Sequence, residues 1–346
     1  MLRRTFMGAM ALALLTAPMA QAQDGTVRIA MSWANYQEER WRIDEAGLQE
    51  GAEELGAELM TADAQSSSER QASDIDSLLA RGIDVLMIVA QDNEAILPAV
   101  ERALAEGVTV IAYERQIEHP DVFYVGFDPV EVGRVQAREL IRVQPEGNYV
   151  LINGSPTDAY AHFVLAGNME VLEPHIADNS ITIVAEQWTE GWVPEIAQGN
   201  MENILTAVND DVDAVVAAND GTAGGVLAAL TAEGLAGIPV SGQDGDHAAL
   251  NRIARGLQTM TAWKDATELG RIGTEVAVAL AQGTEPEQVD NHMIWDQGPR
   301  EVAQNAVMLA PVTITHENLD VVVDAGWIGA ADLCAGLTDN APAPCQ

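Results

Sequence analysis

Residues 212–230 read VDAVVAANDGTAGGVLAAL, and this stretch decides the fold class. Its first part, 213–218, is a short apolar run with β-branched valines, suited to a strand covered on both faces. The strand ends at Asn219-Asp220, and Gly221-Thr222 then open a helix of small residues that can lie close to the sheet. In an open parallel sheet, ligands sit beyond the carboxyl ends of the strands, so Asn219 and Asp220 are placed to present polar groups there. Both are also good helix caps, and capping alone would account for them. The ligand-site reading gains weight because the same arrangement recurs along the chain.

On the amino-terminal side, strands are expected at 26–31, 57–61, 84–89, 109–113 and 122–127. They alternate with helices over 38–55, from a cap at 66–69 to Arg81, and over 95–106. The rhythm restarts after Asp128, with strands at 148–152, 181–186, 238–241, 258–262, 292–295 and 307–314. Helices are expected over 159–172, 196–208, 247–255 and 266–281, and 129–147 receives no element. Such alternation predicts parallel sheets with helices on both faces. Two halves of similar size fit an α/β protein of two doubly wound lobes, joined by short crossings near Asp128, Ala262 and Pro311. The Ala/Pro-rich tail from Leu333 is expected to be loosely ordered.

Residues 1–22 form an export signal: Arg3-Arg4, an apolar stretch from Met7 to Leu15, and Ala20-Gln21-Ala22 before a cleavage point near Ala22. Arg3-Arg4-Thr5-Phe6-Met7 also has the form of a twin-arginine signal. The expected location is the periplasm. The mature chain is long enough for two domains of roughly 100–200 residues each. The chain carries 17 Lys and Arg against 53 Asp and Glu, a formal charge of −36; without Arg3 and Arg4 it becomes −38. That balance argues against a nucleic-acid partner, whose phosphates need a basic surface, and describes a strongly solvated exterior. Export makes a disulfide plausible between Cys334 and Cys345, the only cysteines.

The strand ends and first helix carry an unusual polar set. It comprises Arg40-Trp41, Glu114-Arg115, Asp158, Asn219, Asp244, Asp246 and Lys264, with Trp188 and Trp192 flanking TEGW. Arg40, Arg115 and Lys264 are offset by Glu114, Asp158 and Asp244. A phosphate or carboxylate site should carry surplus positive charge or a glycine-rich cradle. Mutual cancellation fits a neutral ligand with many hydroxyls, each able to donate once and accept twice. Burying a hydroxyl unpaired costs roughly 1–3 kcal/mol, so such a site must be densely polar. The apolar face of a pyranose can lie on an indole. These features describe a monosaccharide site.

Catalytic signatures are weak. The six histidines form no HExxH pair, no GxSxG elbow or P-loop is present, and no cofactor or metal site is expected. Glu114 and Asp244 could in principle act on a glycosidic bond, but neighbouring cations would keep their pKa values low, which suits acceptors better than a general acid.

At these residues the chain resembles the periplasmic sugar-binding proteins of ABC transporters, and within them the xylose-binding members. The likeness runs through EERW (38–41), RGIDVLMI (81–88), VIAYER (110–115) and GNYVLINGSP (147–156). It continues through QWTEGWVPE (187–195), DAVVAANDGTAGG (213–225), SGQD (241–244) and GLQTMTAWK (256–264). The resemblance implies a type I binding-protein fold with a three-segment hinge. One lobe would hold 26–128 plus 264–308, the other 129–263 plus 309–332, with 333–346 as a tail.

It also implies a monomer that closes on its sugar, is recognised by a permease with its ATPase subunit, and can present the same closed form to a chemoreceptor. The site residues it implies are Arg40, Trp41, Glu114, Arg115, Asp158, Tyr160, Trp192, Asn219, Asp244 and Lys264, with Trp41 and Trp192 sandwiching the ring. Three positions depart from the xylose-binding pattern. Glu114 stands for an aspartate, Tyr160 for an amide, and Ala34-Asn35 for a pair of aspartates. Such changes alter which hydroxyl stereochemistry is accepted, because a mispaired polar group is expensive. Two rivals are a transcriptional repressor built on the same core and a sugar-processing enzyme; the first would need a helix-turn-helix where this chain has an export signal.

Overall fold

A computed structural model describes residues 25–337 and 341–346; the export signal lies outside them. The first half alternates up to β4, which β5 follows without a helix: β1 (Arg28–Trp33), α1 (Arg40–Leu55), β2 (Glu58–Asp63), α2 (Ser68–Leu79), β3 (Val85–Ile88), α3 (Leu97–Ala105), β4 (Thr109–Tyr113) and β5 (Phe123–Phe127). The second half continues with α4 (Pro129–Val143), β6 (Gly147–Asn153), α5 (Ala159–Ala177), β7 (Ile181–Trp188), α6 (Pro194–Val208), β8 (Ala214–Ala217), α7 (Asp220–Ala232), β9 (Gln243–Asp244), α8 (His247–Ala254) and β10 (Met260–Trp263). The chain ends with α9 (Ala266–Ala281), β11 (Met293–Trp295), β12 (Gln304–Leu309), β13 (Val312–Thr315), α10 (Asp320–Asp324) and α11 (Ala330–Leu333).

The first sheet has the order β11-β12-β5-β4-β3-β1-β2, parallel except for β11. Alternate residues of each strand separate its two faces. Ala30, Leu86, Ile88, Val110 and Ala112 pack against α2 and α3, while Ile29, Met31, Val85, Met87 and Ile111 pack against α1 and α9. The second sheet is built from β7-β6-β8 and β13-β10-β9, linked by the Val215–Val240 bridge. Val150, Ile152, Val215 and Ala217 face α6 and α7, and Tyr149, Leu151, Ala214 and Val216 face α4 and α5. The chain passes between the two sheets after β5, after β10 and between β12 and β13. This is the two-lobed, three-crossing architecture expected, and the strand ends of both sheets meet at one crevice.

Four local expectations need correction. Residues 129–143 form a helix, capped by Asp128, whose Oδ1 accepts from the amides of Val130 and Glu131, with Pro129 in the first turn. The strand expected at 238–241 shrinks to a single bridge at Val240, and pairing resumes at Gln243–Asp244. The single strand expected at 307–314 is two strands in different sheets, because Pro311 has no N–H for a ladder and marks the crossing. The described part of the tail is tied down: Cys334 and Cys345 are disulfide-bonded, and Leu333 is fully buried in a cluster with Leu250, Ile253 and Val322. The other element ends differ from the expected ones by a few residues, as fraying termini do.

Candidate functional site

Ten residues line a narrow cavity of about 20 Å3 in the crevice: Glu38, Trp41, Glu114, Arg115, Asp158, Tyr160, Trp192, Asn219, Asp244 and Lys264. Nine of them are among the ten expected. Arg40, the tenth, stands behind the wall, its guanidinium bonded to both oxygens of Asp44 (3.0 and 3.3 Å) and to Glu114 Oε1 (2.6 Å).

Local folding explains each placement. Asp158 caps α5, its Oδ1 accepting from the Tyr160 amide, which leaves Oδ2 for Arg115 Nε at 3.0 Å and Trp192 Nε1 at 3.1 Å. Asn219 divides its amide in the same way. Oδ1 accepts from the Thr222 amide at 2.9 Å to cap α7, and Nδ2 points to Asp244 Oδ2 at 3.4 Å. Capping and cavity-lining therefore coexist in one side chain. Asp220, which the strand-end argument also aimed at the ligand, is buried beneath the wall. Its carboxylate accepts from Gln258, Thr261 and the amides of Gly245 and Asp246. Those bonds hold the 244–246 turn, in which Asp244 takes φ +101°, a conformation that an L-residue keeps only when its surroundings enforce it. Asp246 precedes α8 and does not reach the cavity. Trp188 lies outside the cavity, its ring 4.4 Å from that of His162.

The cations of the wall are paired with its carboxylates. Lys264 Nζ donates to Glu114 Oε1 (2.6 Å) and the Tyr160 hydroxyl (3.3 Å) and forms an ion pair with Asp244 Oδ1 at 2.9 Å. Burial works to raise the Glu114 carboxyl, but Arg40 and Lys264, helped by bonds from Lys264 and the Phe127 amide, overcome it and bring the group to about 2. Glu114 is thus a permanent acceptor. The same Arg40 pairing only moderates burial at Asp44, which is pushed up to about 6. The longest wall contacts, Asn219–Asp244 at 3.4 Å, Lys264–Tyr160 at 3.3 Å and Arg40–Asp244 at 3.6 Å, are the ones that a hydroxyl could replace most readily.

Glu38 was missed by sequence reasoning. It is 8% exposed and its Oε2 accepts from Trp41 Nε1 at 2.6 Å, while burial raises its carboxyl above the usual range. The signal was its spacing: Glu38 lies three residues before Trp41, which places the two on one helical face, whereas Glu39 points elsewhere. Both cavity indoles accordingly have their N–H groups satisfied by carboxylates, Trp41 by Glu38 and Trp192 by Asp158, and offer apolar ring surface.

Residues 29–285 match the periplasmic binding protein domain. The chain belongs to the periplasmic binding protein family. This binding protein is 40% identical over 323 residues to the D-xylose-binding periplasmic protein of Escherichia coli, covering 92% of this chain and 96% of that one. It is 39% identical to the D-xylose-binding periplasmic protein of Haemophilus influenzae, covering 89% and 92% of the two chains. In structure it is similar to a carbohydrate transporter solute-binding protein from Chloroflexus aurantiacus in complex with D-glucose. The TM-score is 0.80 at 29% identity, with 89% of this chain and 98% of that one covered.

Proposed function

We propose that this protein captures a neutral monosaccharide in the periplasm and delivers it unaltered to an ABC transporter. D-Xylose is the first candidate, followed by related aldopentoses and aldohexoses. One observation carries the reading: buried, mutually paired carboxylates and cations form a wall between two indoles whose N–H groups are already bonded. Such a wall offers hydroxyls both donors and acceptors, and its four carboxylates against three cations, Arg40 included, leave no surplus positive charge to attract an anion. The D-xylose-binding relatives support the substrate class, and the departures at Glu114 and Tyr160 are where preference among sugars would differ.

On the same reading, the leader at 1–22 is removed on export. Segments 26–128 plus 264–308 and 129–263 plus 309–332 move as two lobes about the crossings. A permease recognises the closed form, and the same form would serve a chemoreceptor. A ligand drives closure only by its differential affinity for the two forms.

Calorimetry with D-xylose, L-arabinose, D-ribose and D-glucose tests the reading. At least one sugar should bind with micromolar affinity or tighter, about −8 kcal/mol, and be recovered unchanged. Arg115→Ala should abolish most of that affinity, since it strips Asp158 and the Ala90 carbonyl of a partner. Failure of every sugar to bind sinks the proposal; unchanged affinity in the variant removes Arg115 from the site.

A further inference from the structure

The segment that enters α1, Gln37-Glu38-Glu39-Arg40, alternates in exposure: Glu38 and Arg40 are buried, whereas Gln37 and Glu39 are exposed. The inward pair serves the cavity. The outward pair does something separate, because both side chains cross to the opposite lobe. Gln37 Nε2 donates to the carbonyl oxygens of Gly191 (3.2 Å) and Trp192 (3.1 Å), the turn that carries the second cavity indole. The same nitrogen lies 3.3 Å from Glu38 Oε1, the carboxylate that holds the first indole. One amide therefore ties together the mountings of both tryptophans.

Glu39 crosses at a second point. Its Oε2 accepts from the His247 backbone amide at 3.0 Å, and Oε1 lies 3.2 Å from His247 Nδ1. His247 is the first residue of α8, and Asp246, which precedes that helix, makes no side-chain capping bond. The start of α8 is thus capped from the other lobe. Glu39 in turn makes no capping bond to its own helix α1. Opening the crevice would return an orphan amide and a carboxylate to water, so this cap exists only in the closed arrangement.

We propose that Gln37 and Glu39 are closing latches: positioning residues outside the cavity that hold the lobes shut and so set the residence time of the sugar. The inference rests on the sugar-binding reading above. Because neither side chain lines the cavity, each should act equally on every ligand. The bonds are at the solvent-exposed rim, so the effect is modest.

The test uses the full mature chain carrying Gln37→Ala, Glu39→Ala, or both, with Asn219→Ala as a cavity-wall control. Stopped-flow binding of D-xylose and D-glucose should show dissociation about three- to tenfold faster in each single variant, the scale of a lost helix cap. Association should be nearly unchanged, and the xylose-to-glucose affinity ratio retained. The wall control should shift that ratio. A sugar-free arm keeps the two proposals apart. Spin labels at the exposed positions Glu54 and Glu233, one on each lobe, report the interlobe distance directly. The double variant should favour longer distances than the unsubstituted protein, with or without sugar. Sugar binding with unaltered dissociation rates and an unaltered distance distribution in the variants overturns the latches while leaving the sugar reading standing. Absence of sugar binding in the unsubstituted chain overturns the sugar reading, and the distance distribution still decides the latches.

Discussion

The side chains at the crevice divide their atoms between building and binding. Asn219 and Asp158 each spend one oxygen on a helix cap and turn the other polar atom toward the cavity. Strand-end logic could place both residues, but it could not separate Asn219 from Asp220, because the two are equally good caps and differ only in which way the first turn of α7 rotates them. Glu38 was hidden for a similar reason, since adjacent acids look alike until a helical face is assigned. Gly154 shows what the arrangement demands at its tightest point. A Cβ there would lie 2.2 Å from the Trp192 ring. Gly154→Ala should push the indole out of register with the cavity and weaken sugar binding by about tenfold or more, the scale of 1.4 kcal/mol lost. Tryptophan fluorescence and calorimetry together check this: an unshifted emission spectrum with full affinity would show that the ring has room to move.

At the scale of elements, helix pairs rather than single helices are the packing unit, and glycines bring them close. In α4 and α5, a Cβ on Gly133 would meet the Val164 carbonyl oxygen at 2.0 Å, and one on Gly167 would meet that of Val130 at 2.0 Å. Gly47 and Gly270 do the same for α1 and α9, and Gly225 brings α7 against α6. The GTAGG run was legible as a small-residue helix suited to close packing. That Gly225 serves the contact with a neighbouring helix was not, because periodicity does not say which neighbour a face meets. Gly133→Ala or Gly167→Ala should cost about 1–3 kcal/mol through overpacking against backbone that cannot yield locally. Urea denaturation measures it; a midpoint equal to that of the unsubstituted protein refutes the close contact. The missed α4 had a readable start at Asp128-Pro129. The break at Pro311 was harder, because residues 307–314 look like one apolar strand and only the sheet assignments divide them.

Taken whole, the molecule carries a large negative charge, and several acids are buried inside it. Burial raises Asp220 to about 7, against the pull of Arg252, and Asp44 to about 6; Asp246 is also raised, by burial and then by Asp220. These groups bind protons more tightly folded than unfolded, so stability falls as pH rises from the usual carboxylate range through about 7. Glu114, at about 2, acts in the opposite sense: its contribution is complete above the ordinary value of 4.5 and is lost as pH falls toward 2. The melting temperature should therefore peak near pH ~4, where the two windows meet, and decline on both sides. Self-repulsion of the net charge adds to the decline at high pH, and salt separates the two causes, because roughly 1 M NaCl screens exposed charges while leaving buried ones little affected. A melting temperature flat from pH 5 to 8 in high salt would show that the buried acids do not carry the effect.

The seating of β12 beside β5 has a consequence for how the protein is made. β5, with the sequence FYVGF, is buried throughout and takes its final neighbour from residues 304–309. A growing chain therefore carries an apolar, unpaired strand border until nearly all of it has been synthesised, and such borders recruit other chains. Truncation anywhere before Gln304 should yield aggregates rather than a smaller folded unit.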